Sequence, residues 1–573
     1  MNDFPNINAS YTDNEILYYD RLHSEKYRDT NQDFYGHCLQ TANKLASNAT
    51  HNFKLFDALR TRRFLPAGRV QAALGATERE VSPFNCSVSQ RIEDSMDSIM
   101  AAASNAAKIL RLGTGIGYNF SNLRPRGALI KKLGTESSGP LSFMEIFNCV
   151  AGTIASSGHR RGAQMGIMNV DHPDIEAFID AKMQAGTFRQ FNLSVGITDS
   201  FMEAVAQDQT WKLVFGGKVY KEISAKYLWH KITRNAYESA EPGIIFIDRL
   251  NEFNNLHYCE HIDATNPCSE QPLPPYGLCL LGSFNLVSYL EYSSTGALGF
   301  NRKQYIEDIK IFTEAYDNIF DNSIYAIPEH KEEAINKRRM GLGLTGIANC
   351  IELLCGEANY GEAKFCEWLD QICALLTHTA YYTSADLART RGPFNLYTQD
   401  YLDSKFIKTL PEYIQNKIRA HGIRNSHLIS YAPCGTISQC AGNVSSGVEP
   451  IFYHKVSRAV HMKDGKINVD LHDYAYKNYN FKGKTLEDCT VDNHLAVSAI
   501  IQKYTDSAVS KTVNVAASCS YEDYEQIYKR AYSMGLKGIT VFRPTALRGA
   551  VIVSAKPEKT FADAHCVNGA CAL

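Results

Sequence analysis

Between Phe64 and about Arg548 the chain alternates short apolar runs with amphipathic stretches of helical period, and this alternation restricts the fold more than any other feature. Phe191–Ile197, Gly243–Ile247, Leu428–Tyr431 and Gly538–Phe542 read as strands, while Asp94–Leu110, Arg302–Phe320 and Tyr521–Met534 read as helices with one apolar face. Strand and helix in turn give βα units on a parallel-rich sheet, open or closed into a barrel, and alternation alone does not choose between the two. Residues 1–60 read as a polar helical region, residues 61–550 as the α/β body, and residues 551–573, which lose all periodicity, as a flexible tail.

Composition then excludes several roles. Lys and Arg total 59 against 61 Asp and Glu, a formal net charge of −2, so no global field favours nucleic acid and any phosphate binding has to be local. The segment from Met1 to Asp20 has no apolar core of a secretory signal. No apolar run approaches the roughly 18 residues of a membrane span. The 16 cysteines are spread thinly along the chain. They are therefore expected to be reduced thiols of a cytoplasmic protein, most of them small core residues. No bound metal ion is expected.

Three turn-rich segments stand out: Gly113 to Gly117, Ser156 to Gly162, and Pro433 to Thr436. The first lacks the third glycine of a dinucleotide fingerprint, with Tyr118 in its place. Asn266-Pro267-Cys268-Ser269-Glu270 sets an amide, a thiol and a carboxylate on alternate positions. In extended backbone these share one face and can converge on one small molecule. Taken alone, a surface turn fixed by Pro267 explains the segment better. Cys279 and Cys86 lie in apolar runs, where a lone cysteine is usually core. The ending His565-Cys566-Val567-Asn568-Gly569-Ala570-Cys571 puts two thiols among small residues on a terminus.

Together, and in this order, these segments resemble the catalytic chains of ribonucleotide reductases. So do Met340 to Gly346, Pro433 to Ser438 and Gly447-Val448-Glu449-Pro450. The resemblance runs from about Phe64 to the C-terminus. It implies a ten-stranded α/β barrel with a finger loop, carrying Asn266 to Glu270, threaded into it. It also implies that Cys268 becomes a thiyl radical that takes the 3′-hydrogen of a ribonucleotide. Glu270 is then the general base for the 3′-OH, and Asn266 holds the ribose hydroxyls. Cys86 and Cys279 supply a proton and two reducing equivalents and end as a disulfide, which requires Cα atoms within about 7 Å. Cys566 and Cys571 are expected to reduce that disulfide by exchange and to be renewed by a thioredoxin or glutaredoxin-like protein.

Pro433, Cys434, Gly435, Thr436, Ile437 and Ser438 resemble the substrate phosphate loop, whose turn and free N–H groups suit an anion. Cys434 stands where related sequences commonly have threonine or serine. Asp94, read as the N-cap of its helix, and Arg160 with Arg161 are the expected contacts to deoxynucleotide or ATP effectors at a dimer interface. Only about 60 residues precede the barrel region, few for a further domain, and they do not resemble the family's ATP cone, so no activity switch of that kind is expected. The expected assembly is a homodimer acting on ribonucleotides, probed first as diphosphates.

The radical source follows from one segment. Members fed by a metal-bearing small subunit carry two adjacent tyrosines near the last barrel strand; here Val541 and Phe542 stand in the matching segment. Gly569 does not resemble a glycyl-radical segment. The resemblance is therefore to the adenosylcobalamin-dependent type, with a separate metal-radical subunit as the alternative. A dithiol oxidoreductase would carry Cys-x-x-Cys on a βαβ unit, and no such motif occurs.

Overall fold

Strands with apolar side chains on both faces have to be covered on both sides, and the central strands here are of that kind. They are β1 (Phe64–Pro66), β2 (Cys86–Val88), β3 (Gly115–Asn119), β4 (Gln164–Asn169), β5 (Phe191–Ile197), β6 (Gly243–Phe246), β7 (Leu278–Cys279), β8 (Leu281–Asn285), β9 (Gly341–Thr345), β10 (Thr512–Asn514) and β11 (Gly538–Phe542). The computed structural model describes residues 13–545, apart from Arg79, Lys132, residues 155–162, Ala185 and residues 463–464.

Eight strands pair in the order β7-β2-β3-β4-β5-β6-β11-β10, and three in the order β1-β8-β9. β2 to β6 run parallel, as do β8 with β9 and β10 with β11. β7 on β2, β11 on β6 and β1 on β8 are antiparallel. The expected α/β class with parallel-rich sheets is therefore present.

Two local expectations change. The Leu428–Tyr431 run forms isolated parallel bridges, Leu342 to Ile429 and Tyr431 to Val509, rather than a regular ladder. The reason is that the Asp506 carboxylate takes the N–H groups of Leu428 and Ile429. The glycines from 113 onward are mostly strand: Gly113 turns at φ 83°, and β3 starts at Gly115.

Period-two alternation sorts the side chains. Met165, Ile167 and Ile245 face inward and pack with Val88 against Ile262, Ala264 and Leu273. Met168, Val195, Ile244 and Phe246 face helices Met96–Arg111, Ala225–Ser239 and Tyr521–Ser533 in a second core. Helix Met96–Arg111 shows how such a helix is specified. Ser95 caps it by accepting from the N–H of Ser98, Asp97 opens it, and Lys108 and Arg111 close it against the dipole. Ile99, Ala102, Ala103 and Ala106 line its buried face.

The N-terminal residues form helices Asp13–Tyr27, Phe34–Leu45 and Ala49–Arg60, the last two capped by the side chains of Asp33 and Asn48. They share one core with β1 and β8: Phe34, Leu45 and Leu55 join Phe64, Phe284 and Phe312, and Phe64 stacks on Phe312 at 3.8 Å between ring centres. Among the described residues no helix is long and apolar enough to cross a membrane.

Candidate active site

The Asn266 to Glu270 segment is the tip of a tight antiparallel hairpin, with Ala264 opposite Leu273 and Thr265 opposite Pro272. Asn266 closes the tip. Its N–H donates to the Gln271 carbonyl at 3.1 Å, and its carbonyl accepts from the N–H of Ser269 at 3.0 Å. Its side-chain Oδ1 accepts from the N–H of Gln271 at 3.0 Å. Ser269 turns through the left-handed region at φ 66°. The Asn266 Nδ2 is buried and has no protein partner, so the amide's two donors are left for a ligand.

The sheets pin this finger on both sides. Asn192 Nδ2 donates to the Pro267 carbonyl at 3.0 Å. The Glu270 carbonyl accepts from Ala508 N–H at 3.0 Å and from Ser430 Oγ at 2.9 Å. Two strands approach it through glycine. A Cβ on Gly117 would lie 1.8 Å from the Thr265 carbonyl oxygen, and one on Gly341 would lie 2.6 Å from Gln271 Nε2. The glycines are needed because the finger's backbone and side chains occupy the space a Cβ would take. Asn266 and Glu270 are buried while Cys268 is half-buried.

Cys86 and Cys279 face each other in register across the β2–β7 pair. Directly opposed residues hold their Cβ atoms about 4.5–5.5 Å apart, within reach of a disulfide after small adjustment. Burial pushes the Cys279 thiol well above its ordinary range, and the neighbouring Cys86 and Glu270 push the same way. It therefore stays protonated at neutral pH, the state needed to deliver a proton. A Cβ on Gly115 would lie 3.1 Å from Pro267 Cγ and 3.5 Å from Cys86 Sγ, so the finger and the thiol pair meet at the same point of β3.

Pro433 and Cys434 lead into helix Gly435–Cys440. The first-turn N–H groups of Gly435, Thr436 and Ile437 have no acceptor within the helix by position. Ser438 Oγ donates to the Gly435 carbonyl at 3.0 Å, so this hydroxyl is left only as an acceptor. Cys434 is buried, lies 3.2 Å from Ser283 Oγ, and is pushed up to about 11 by burial, with Glu270 contributing. It is a packed thiol beside the site.

Asp94 is not a helix cap. Ser95 takes that place, and Asp94 instead accepts from Arg124, at 2.7 Å from Nε and 3.1 Å from the backbone N–H. Arg160, Arg161, Cys566 and Cys571 lie outside the described residues. Among the described residues no cluster of three or more His, Cys, Asp or Glu side chains is placed to hold a metal ion. Asn192, Ser430 and Ala508, which hold the finger, carried no motif signal. The spacing of Gly115 and Gly117, two apart within a strand, suits a close approach on one face, although in the sequence it reads as a turn.

A protein-family profile described as "Ribonucleotide reductase, barrel domain" matches residues 84–542. The vitamin B12-dependent ribonucleoside-diphosphate reductase of Mycobacterium tuberculosis (strain CDC 1551 / Oshkosh) is 33% identical over 512 residues, 84% of this chain and 71% of that protein. The protein of the same description from Thermoplasma acidophilum is 31% identical over 499 residues, 82% of this chain and 62% of its own. The ribonucleoside-diphosphate reductase subunit alpha of Chlamydia pneumoniae is 25% identical over 512 residues, covering 78% of this chain and 48% of that one.

Proposed function

Because the chain belongs to the ribonucleotide reductase barrel-domain family, we propose that it reduces ribonucleotides, as diphosphates, to 2′-deoxyribonucleotides with adenosylcobalamin as its radical source. The observation that carries the reading is the in-register Cys86–Cys279 pair beside the finger that bears Asn266, Cys268 and Glu270.

The chemistry divides among these residues. The Cys268 sulfur, as a thiyl, takes the hydrogen atom from C3′. Glu270 accepts the 3′-OH proton, while the Asn266 amide holds the ribose hydroxyls. The 2′-oxygen leaves as water with a proton from the thiol pair. Cys86 and Cys279 give up two electrons and two protons in all and join as a disulfide. Glu270 returns its proton to the 3′-oxygen, and Cys268 returns the hydrogen atom to C3′ and is a thiyl again. The balance is one ribonucleotide and two thiols to one deoxyribonucleotide, one disulfide and one water.

Adenosylcobalamin, when bound, supplies a cobalt–carbon bond that breaks homolytically. The half-buried Cys268 is the residue beside which such a group would have to bind. β11 offers Val541 in the core and a half-buried Phe542, with no phenol to relay a radical from a second subunit. The relatives from M. tuberculosis and T. acidophilum carry the B12-dependent description, which favours the same source.

The barrel in this reading is a ring of ten strands. What supports it is the run of pairings β2-β3-β4-β5-β6-β11, continued through the stretch 507–514, the segment 428–431, β9, and the stretch 278–285 that carries both β7 and β8. The helices between Asp13 and Arg60 flank the ring, and residues 551–573 carry Cys566 and Cys571 as the shuttle to thioredoxin or a glutaredoxin-like reductant. Pro433, Cys434, Gly435, Thr436, Ile437 and Ser438 receive the substrate phosphates, chiefly through backbone N–H groups. Asp94, Arg160 and Arg161 serve a deoxynucleotide or ATP effector site in a homodimer. Anaerobic turnover with adenosylcobalamin, a dithiol and each substrate phosphorylation state tests the reading. Product from the diphosphate without a second polypeptide is expected; dependence on a metal-bearing partner protein, with no response to adenosylcobalamin, overturns the radical source.

A further inference from the structure

We propose that Asp506, which belongs to no motif of the sequence, is a positioning residue for Glu270. The inference rests on the reading of Glu270 as proton acceptor and deepens it.

At the far end of the finger the Glu270 carbonyl accepts from Ala508 N–H and from Ser430 Oγ. These donors come from two segments that lie far apart in the chain, around residues 430 and 508. Neither segment sits in a regular ladder at that point. They hold one another through Ser507 N–H to the Ile429 carbonyl at 3.2 Å, Tyr431 N–H to the Ala508 carbonyl at 3.2 Å, and Ser510 N–H to the Tyr431 carbonyl at 2.9 Å. The register between them therefore sets where Glu270 stands.

Asp506 fixes that register. Its Oδ2 accepts from Leu428 N–H at 2.6 Å and from the Tyr381 hydroxyl at 2.6 Å. Its Oδ1 accepts from Ile429 N–H at 3.1 Å and from Ser507 N–H at 2.6 Å. One side chain thus ties the start of the 428–431 segment to the start of the 507–510 segment and to helix Ala363–Arg391, which carries Tyr381. Lys537, at the entry to β11, donates to the carbonyls of Asp506 and Ser507 at 2.7 and 2.5 Å. Both side chains are buried.

Only an ionised carboxylate suits this place. It has about four acceptor sites and no donor, and all four donors converge on it. A buried carboxylate is costly unless it is hydrogen-bonded and has opposite charge nearby; the four donors and the Lys537 ammonium meet both conditions. Asparagine has the same shape, but its NH2 would face donors, so at least one segment would be released. The shift would reach Glu270 through Ala508 and Ser430, while the phosphate loop at 433–438 has a separate anchor in Cys434, whose Sγ lies 3.2 Å from Ser283 Oγ on β8.

The test compares the full-length wild-type protein with Asp506→Asn, Tyr381→Phe and Ser430→Ala. Steady-state turnover is measured under anaerobic conditions with adenosylcobalamin and a dithiol. A single turnover without reductant, with each protein also carrying Cys566→Ser and Cys571→Ser, then follows both the rate and the final amount of the Cys86–Cys279 disulfide. Misplacement by about an ångström costs on the order of 100-fold in rate. Asp506→Asn should therefore lose about 10- to 100-fold in kcat with KM within about threefold. Its disulfide should form slowly but reach wild-type stoichiometry. Ser430→Ala should lose about 10-fold, and Tyr381→Phe, which removes one of four donors, only a few-fold. A merely structural role would instead lower the final amount of disulfide and leave its rate unchanged, and that result overturns the inference. Wild-type kcat in Asp506→Asn also overturns it. If Asp506→Asn does not fold, wild-type kcat in both Ser430→Ala and Tyr381→Phe does so instead. An inactive wild-type protein would strike the proposed function itself, a result separate from these.

Discussion

Gly117→Ala tests whether the finger is seated where the chemistry needs it. Gly117 lies in β3, and a Cβ there would come 1.8 Å from the Thr265 carbonyl oxygen and 3.0 Å from the carbonyl carbon. Real Cβ contacts begin near 3.0 Å, so the finger has to retreat by about 1.2 Å. The obstacle is backbone, and no side-chain rotation relieves it. Thr265 directly precedes Asn266, so the displacement passes to Asn266 and Cys268 undiminished. A misplacement of about 1 Å is worth on the order of 100-fold in rate, about 2.7 kcal/mol of barrier. Overpacking costs about 1–3 kcal/mol of stability, part of it offset by about 0.4–1 kcal/mol from the stiffer unfolded chain, so the variant should remain folded. Anaerobic turnover with adenosylcobalamin and dithiothreitol, alongside a denaturant titration, separates the two effects. Gly152→Ala, whose Cβ meets only Gln190 Nε2 at 4.0 Å, should turn over like wild type. A folded Gly117→Ala protein with wild-type kcat would refute the claim that the finger packs on β3.

Two further outcomes follow from the thiols. Cys566→Ser and Cys571→Ser should keep turnover with dithiothreitol, which enters the site directly, and lose it with thioredoxin as sole reductant; equal loss with both reductants removes the shuttle. The Cys434 thiol is pushed from the usual 9.0 up to about 11, chiefly by burial, so folding favours its protonated form. Its contribution to stability is full below about pH 9 and is lost as pH rises toward about 11, amounting to at most about 3 kcal/mol. Urea titrations between pH 8 and 11, on scales set by those values, should show a shallower decline for Cys434→Ser than for wild type; parallel curves contradict the assignment.

The strands and helices with strong period were legible in the sequence. Phe191–Ile197 and Gly538–Phe542 form strands with those bounds, and Arg302–Phe320 and Tyr521–Met534 differ from the observed helices by one residue at the C-terminal end. The candidate site residues were legible only through the family resemblance, because by themselves Asn266 to Glu270 read as a turn and Cys86 and Cys279 as core. What the sequence did not reveal depends on contacts between distant segments. Asp94 reads as a cap by type and position, yet Arg124, thirty residues on, takes its carboxylate, and Ser95 caps the helix. Leu428–Tyr431 reads as a strand, but the buried Asp506 substitutes for part of its ladder. The glycines after Gly113 read as a turn because glycine marks turns as well as close approach, and only the finger lying across β3 distinguishes the two.

The most direct test is a single anaerobic turnover of the fully reduced Cys566→Ser/Cys571→Ser protein, with adenosylcobalamin, effector and a ribonucleoside diphosphate but no reductant. Deoxynucleotide is quantified, and the cysteine pairing is mapped by peptide mass spectrometry. The account predicts one deoxynucleotide for each Cys86–Cys279 disulfide, and neither product when Cys268→Ser is added. Deoxynucleotide formed without that disulfide, or formed in the Cys268→Ser protein, would contradict it.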